Sequence, residues 1–340
     1  MKRIIIQLLQ SILSFIIAFM FVNILCFFYE RPVAWIDRES GVTSGVRTPN
    51  GILVHGTEGY GITCLDDKGH SNSKQPLIEN GYVLVMGSSH TQGKEVAKDE
   101  RYTEILNRYV SGNDEDNLHV YNVALDGNYL PSLLRRFTAG VEEYPNARTI
   151  VIEITDTDYS VEQLKLVKQQ IHYNQDEAAE VLFENASFFM RVKIIIKEFF
   201  PLIHLYQTKM ETMGNNKLVG SKKIEEIDNL EYEKILKEDL ELVRSIYSGN
   251  IIFVYHPDVK IEPNGDLVCL RSQTVDIFEQ VCESNEILFI DTGDEFIEYY
   301  EKYSKVPYGF NNTTMGNGHL NAIGHKILAD EIYAVLKEVE

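Results

Sequence analysis

The sequence predicts an α/β protein: a three-layer α/β/α sandwich around a five-stranded parallel sheet, preceded by one transmembrane helix. Three observations carry this expectation. From Gly81 onward, five short apolar runs alternate with helical patterns, and strands joined by helices lie parallel with helices over both faces. The N-terminal region is one long apolar stretch. Finally, 340 residues that are 44% hydrophobic and 11% aromatic suffice for one large packed domain or two modest ones.

Ile4 to Phe28 is apolar apart from Gln7, Gln10, Ser11, Ser14 and Asn23. This is about 25 residues, enough to cross a hydrocarbon core of roughly 30 Å. A signal peptide would end a shorter apolar region at a small-x-small cleavage site, whereas positions 23–30 read Asn-Ile-Leu-Cys-Phe-Phe-Tyr-Glu. Residues 1–30 are therefore expected to be an uncleaved anchor. Lys2 and Arg3 favour a cytoplasmic N-terminus with the remainder extracytoplasmic, although Arg31 and Arg38 follow the span. Residues 31–80 are rich in Gly, Thr, Asp and Asn, with strand-like pieces at 51–55 and 60–64; this extended segment is expected to pack on the edge of the main domain.

The main domain is expected over residues 81–340. Strands are predicted at 82–86, 118–122, 149–154, 251–255 and 287–290, and helices at about 98–110, 130–143, 273–283 and 322–339. The interval 160–249 is longer than one crossover helix requires, which predicts a helical insertion. Within it, Ser187 to Met210 is amphipathic, with Phe188, Phe189, Ile194, Ile195, Phe199, Phe200 and Leu205 interleaved with Arg191, Lys193 and Lys197. Such a helix packs on the domain as core or lid, or lies on the outer face of the membrane.

Charge excludes some partners. With 51 acidic against 32 basic residues and a net charge of -19, a broad phosphate-binding surface is not expected, and nucleic acid is not an expected partner. No G-x-x-x-x-G-K-[ST] loop occurs. Cys26, Cys64, Cys269 and Cys282 lack metal-ligand spacing, so neither a zinc site nor a disulfide framework is predicted, and no metal or organic cofactor is implied.

Two distant segments carry chemistry. Val83-Leu-Val-Met-Gly-Ser-Ser-His-Thr-Gln-Gly93 is an apolar strand that breaks at Gly87 and presents Ser89 at its carboxyl end. Gly318-His-Leu-Asn-Ala-Ile-Gly-His325 places His319 in a polar loop just before the last helix. A serine hydroxyl becomes a useful nucleophile when an imidazole takes its proton, and His319 suits that role better than His90, His256 or His325.

Here the chain resembles the SGNH/GDSL hydrolase family, over roughly Gly81 to Glu340 and through four blocks in the family's order. Gly87-Ser88-Ser89 matches the family's Gly-Asp-Ser, with Ser88 in place of Asp. Asn122-Val-Ala-Leu-Asp-Gly127 matches the second block, whose glycine N–H donates to the oxyanion. Thr155-Asp156-Thr157-Asp158 aligns with the third, so Thr157 stands where the family has its oxyanion asparagine; Asn128 is a substitute. The last block matches Gly316-Asn317-Gly318-His319-Leu320-Asn321 without its Asp. The resemblance implies Ser89 and His319 as catalytic residues, an oxyanion hole from Ser89, Gly127 and Thr157, and Gly316 or Asn317 as the group orienting His319.

Together, anchor and resemblance imply an extracytoplasmic serine esterase or O-acyltransferase acting on acyl, above all acetyl, esters of cell-envelope glycans. They also imply a membrane acyltransferase or polysaccharide-assembly machinery as partner. The alternative is a catalytically inactive protein of this fold that binds glycan or assembles with such machinery.

Overall fold

The computed structural model describes residues 2–31, 35–36, 46–47, 50–72, 81–111, 118–171, 189, 192, 196, 199–206, 209 and 227–339. Five strands form the central sheet: β1 (Tyr82–Met86), β2 (His119–Asn122), β3 (Ala147–Ile154), β4 (Asn250–Tyr255) and β5 (Leu288–Asp291). All neighbours are parallel, in the order β5-β4-β3-β1-β2. The chain moves outward from β1 to β2 and then returns to the other side of β1. The switch point therefore lies between β1 and β3, where open α/β sheets leave a crevice at the strands' carboxyl ends.

The helices are α1 (Lys2–Cys26), α2 (Ser89–Gln92), α3 (Tyr102–Ser111), α4 (Leu130–Arg135), α5 (Phe137–Glu143), α6 (Val161–Gln170), α7 (Asn229–Ile246), α8 (Val275–Ser284), α9 (Gly293–Tyr303) and α10 (Ala322–Val339). Side chains alternate across a strand, so β1 feeds two cores. Tyr82, Leu84 and Met86 pack with Leu134 of α4, Leu164 of α6, Leu240 of α7 and Phe278 of α8. Val83 and Val85 pack with Leu106 of α3, Phe296 of α9 and Leu328 and Ile332 of α10. Burial on both faces is why every β1 residue is apolar.

The structure differs from the sequence reading in three places. The helix expected from about 98 begins as a 3₁₀ turn at Lys98–Glu100 and restarts at Tyr102. Between them Arg101 is extended, because its buried guanidinium reaches Gly93 O at 2.8 Å and Thr63 Oγ1. The helix expected over 130–143 is two helices meeting at Arg136. An antiparallel pair, Asp258–Ile261 with Leu267–Leu270, and helix α9 were not anticipated.

The pieces at Ile52–His55 and Gly61–Cys64 form an antiparallel hairpin. Its first strand is bridged to the residues that follow α1, through Arg31 N–H to Val54 O at 2.7 Å and Val54 N–H to Arg31 O at 3.0 Å. α1 itself is 25 residues, long and apolar enough to span a membrane. Of the amphipathic stretch within 187–210, Phe188, Arg191, Lys193, Ile194, Ile195 and Lys197 lie outside the described residues; Pro201 to Tyr206 is helical.

Candidate active site

Strand β1 ends at Gly87, where any β-carbon would collide with Thr91 Oγ1 and the Glu153 carboxylate. The turn can close over that carboxylate because position 87 has no side chain. Ser88 caps α2: its hydroxyl donates to Glu153 Oε2 at 2.9 Å and accepts from His90 N–H at 3.2 Å. Gly93 ends the helix in a left-handed conformation. This short, doubly capped turn holds Ser89 at the mouth of the switch point.

The structure brings Ser89 and His319 together, with Ser89 Oγ 2.9 Å from His319 Nε2. His319 sits in a loop fixed by the Tyr308–Leu320 bridge and by Leu320 N–H donating to His90 Nδ1 at 3.2 Å. On the other side of the imidazole, Nδ1 lies 2.7 Å from Glu58 Oε2, while His319 N–H donates to Glu58 Oε1 at 2.8 Å. A carboxylate at Nδ1 fixes the proton there, leaving the Nε2 lone pair to receive the serine proton.

Glu58 is the partner of Nδ1, so the orienting roles read for Gly316 and Asn317 are corrected. Gly316 N–H donates to Tyr308 O at 2.8 Å and Asn317 N–H to Thr314 O at 3.2 Å; both shape the loop. The acid comes from the turn of the N-terminal hairpin, 261 positions before the histidine. Asn312 clamps that turn, accepting from Gly59 N–H at 2.9 Å and donating to Gly56 O at 2.9 Å and Gly59 O at 3.0 Å. Gly318, in a left-handed conformation, leaves the space the Glu58 carboxylate occupies.

Electrostatics suit a general base. Burial pulls the His319 pKa down, but the Glu58 hydrogen bond and the charges of Glu95 and Glu58 outweigh it, so the pKa is raised. Burial pushes Glu58 up, and the His319 hydrogen bonds and charge bring it below the usual carboxylate range. Glu95 is buried, with Oε1 3.7 Å from His319 Nε2 and 3.8 Å from Lys94 Nζ. Lys94 in turn pairs with Asp126 at 2.5 Å.

Beneath the nucleophile lies a second carboxylate. Glu153, fully buried on β3, accepts from Ser88 N–H at 2.7 Å, from the Ser88 hydroxyl and from Thr91 Oγ1 at 2.8 Å, and lies 2.8 Å from His256 Nε2. Burial raises its pKa, but these donors and the charge of His256 lower it well beyond that. His256 Nδ1 lies 2.6 Å from Tyr308 Oη. His90 lies between His256, edge-on to it, and His319, tilted against it, with ring centroids 4.8 and 5.0 Å away, and burial holds its pKa well below the ordinary value. His325 accepts from Tyr102 N–H at 3.3 Å; burial, followed by the charge of Arg101, lowers it to about 3.

Thr157 is placed differently from the sequence reading. Its N–H donates to Ser272 Oγ at 3.0 Å and its carbonyl accepts from Tyr232 Oη at 2.7 Å. Its hydroxyl is 2.9 Å from Thr274 Oγ1, which spends its own proton on Asp158 Oδ1 at 2.9 Å. Thr157 must therefore donate to Thr274, and it has no proton left for an oxyanion. Gly127 has a left-handed backbone and is exposed. The next residue, Asn128, is buried, and neither its Nδ2 nor its Oδ1 has a hydrogen-bond partner among the described residues. Leu125 N–H donating to Gly87 O at 3.2 Å keeps this loop against the Ser89 turn.

Sequence reasoning missed Glu58, Glu95 and Glu153. For Glu153 a signal existed, since a lone charge inside the strand Thr-Ile-Val-Ile-Glu-Ile needs a buried partner. For Glu58 the only local cue was its place in a Gly-rich turn, Gly56-Thr-Glu-Gly-Tyr-Gly61.

The architecture is similar to that of several solved structures. One is the acetyl xylan esterase AlAXEase, at 14% identity over 75% of this chain and 99% of that one, with a TM-score of 0.42. Another is LAE5, an alpha/beta hydrolase enzyme from the metagenome of Lake Arreo, Spain, at 15% identity over 76% and 96%, TM-score 0.42. A third is a member of the lipolytic protein G-D-S-L family from Veillonella parvula, at 14% over 75% and 98%, TM-score 0.38. No protein-family model and no curated protein matches the sequence.

Proposed function

We propose that this protein is a membrane-anchored, extracytoplasmic serine esterase or O-acyltransferase that handles acyl esters of cell-envelope glycans. One observation carries the catalytic part: the unbroken line Ser89 Oγ, His319 Nε2, His319 Nδ1, Glu58 Oε2, with contacts of 2.9 and 2.7 Å. The inactive alternative drew its strength from the missing acid and the missing oxyanion asparagine; Glu58 at His319 Nδ1 supports the active reading.

In this reading His319 Nε2 takes the Ser89 proton as Oγ attacks the ester carbonyl. The tetrahedral oxyanion is held by the Ser89 and Gly127 N–H groups and by the Asn128 amide, in place of Thr157. His319 then returns the proton to the departing alcohol, leaving acyl-Ser89. Water, or a sugar hydroxyl, gives its proton to His319 and attacks the acyl group; the Ser89 Oγ–acyl bond then breaks as His319 returns that proton to Ser89, and the acceptor decides between esterase and transferase. Glu58 stabilises the imidazolium in both halves.

The setting is supported by α1 and by Lys2 and Arg3 in its first turn. Labelling with a fluorophosphonate tests the chemistry: wild type should label and Ser89→Ala should not. Equal absence of label in both, with equal trace ester hydrolysis, would remove the enzyme reading. Protease shaving of intact cells should digest the domain; full protection would reverse the topology.

A further inference from the structure

The outlet of α1 is built differently from the rest of the helix. Along its length α1 exposes apolar side chains, yet Asn23, in its last turn, is 1% exposed. Its Nδ2 donates to Phe199 O at 2.8 Å and its Oδ1 accepts from Leu202 N–H at 3.3 Å, satisfying both ends of the amide. Phe19 and Phe200 meet with ring centroids 6.1 Å apart. The segment 199–206 therefore lies across the last turns of α1. A helix of 25 residues is about 37 Å long, more than the roughly 30 Å of hydrocarbon, so its end emerges among the headgroups.

At this level the protein exposes large aromatic rings: Phe28 at 71%, Tyr206 at 67%, Phe199 at 61%, Tyr60 at 52% and Tyr29 at 47%. Rings left in water cost solvation, and at a bilayer boundary the same rings are stabilised, which is why Trp and Tyr gather there.

The same outlet is joined to the catalytic hairpin. Glu30 is buried; it accepts from Gly56 N–H at 3.1 Å and lies 3.4 Å from His55 Nδ1 and 3.9 Å from His204 Nε2. Tyr60 Oη donates to Phe28 O at 3.0 Å. A β-carbon on Gly56 would collide with Tyr29 O, so the turn lies directly on the outlet. Two residues later comes Glu58, a step of at most about 7 Å along the chain.

We infer that Phe28, Tyr29, Tyr60, Phe199 and Tyr206 form a foot seated in the headgroup boundary of the bilayer, so that the triad works within one hairpin turn of the lipid surface. The partner of this face is lipid, because exposed Phe28 and Tyr29 follow directly on the exposed apolar residues Ile24 and Leu25 of α1. The inference rests on α1 being a retained membrane span.

Depth-dependent quenching tests it in the full chain. With the single tryptophan removed by Trp35→Phe, four variants are placed singly in phosphatidylcholine vesicles carrying brominated acyl chains: Phe199→Trp, Tyr206→Trp, Leu13→Trp in α1, and Leu288→Trp. Leu288 begins β5, at the end of the sheet opposite Ser89. Phe199→Trp and Tyr206→Trp should be blue-shifted and lose most of their emission to lipids brominated near the headgroup, with Leu288→Trp unquenched. If 199 and 206 are quenched no more than 288 while Leu13→Trp is quenched by deep bromines, the foot is wrong and the anchor stands. If Leu13→Trp also escapes quenching and the protein does not sediment with vesicles, the anchor reading fails first. A blue shift at 199 and 206 that grows with protein concentration, without quenching, would assign the face to a second copy and overturn the inference.

Discussion

Glu58 and Glu153 each touch a histidine, at 2.7 and 2.8 Å, but the first sits in a partly open turn of the N-terminal hairpin and the second is sealed inside β3. The contrast separates two tasks a carboxylate can perform near a nucleophile. Glu58 meets the imidazole that touches Ser89, and it lies on a hairpin separate from the central sheet. Glu153 meets the backbone and side chain of Ser88, Thr91 and His256, and shapes the turn on which Ser89 stands. Charge near a nucleophile is thus not evidence of catalysis; what it faces decides.

The sharpest way to break this contrast is to neutralise each carboxylate. Glu58→Gln should lower kcat for an acetyl ester by about 10³- to 10⁴-fold with thermal unfolding nearly unchanged, because the wrong tautomer results while the shape persists. Glu153→Ala should instead unfold readily, losing about 3–5 kcal/mol, because His256 and the Ser88 N–H are left buried without their partner. A folded, stable Glu153→Ala whose defect lies only in kcat would merge the two roles. The Glu153 pKa is lowered on folding, so its contribution is present above the unfolded value near 4.3 and is lost as pH falls below it.

The oxyanion side gives a smaller effect. Asn128→Ala should reduce kcat by about 10²- to 10³-fold with little change in KM, as for a donor used only in the transition state. Thr157→Val should cost on the order of 1 kcal/mol of stability and leave kcat within a few-fold. The reverse pattern in steady-state kinetics would restore Thr157 to the site.

The smallest expected effect is on pH. Activity needs neutral His319, and its raised pKa puts the acidic limb of kcat/KM above the ordinary value near 6.5. The groups facing this imidazole are Glu58, Glu95, Lys94, His90 and Ser89. Glu95→Gln should move the limb to lower pH by up to about one unit, since a charge favouring the imidazolium is removed. A limb that stays put would show that Glu95 is silent.

The strands were legible because a sheet covered on both faces demands continuous apolar runs, as in Val83-Leu-Val-Met and Ile251-Ile-Phe-Val. Ser89 and His319 were legible because each is announced by its own neighbours. Glu58 was not, since nothing within a few residues of it mentions a histidine that becomes adjacent only through tertiary folding. Thr157 misled because alignment by order assigns a position, whereas the Thr274 and Asp158 contacts that consume its proton come from packing.

The long separation between Glu58 and His319 also orders events in time. Synthesis runs from the N-terminus, so the acid is made first and the base 261 residues later. Until the last stretch of polypeptide has emerged, the hydroxyl of Ser89 lacks the imidazole that meets it in the folded chain. A chain cut short anywhere before His319 accordingly lacks the Ser89–His319 contact, whatever part of the sheet it manages to form.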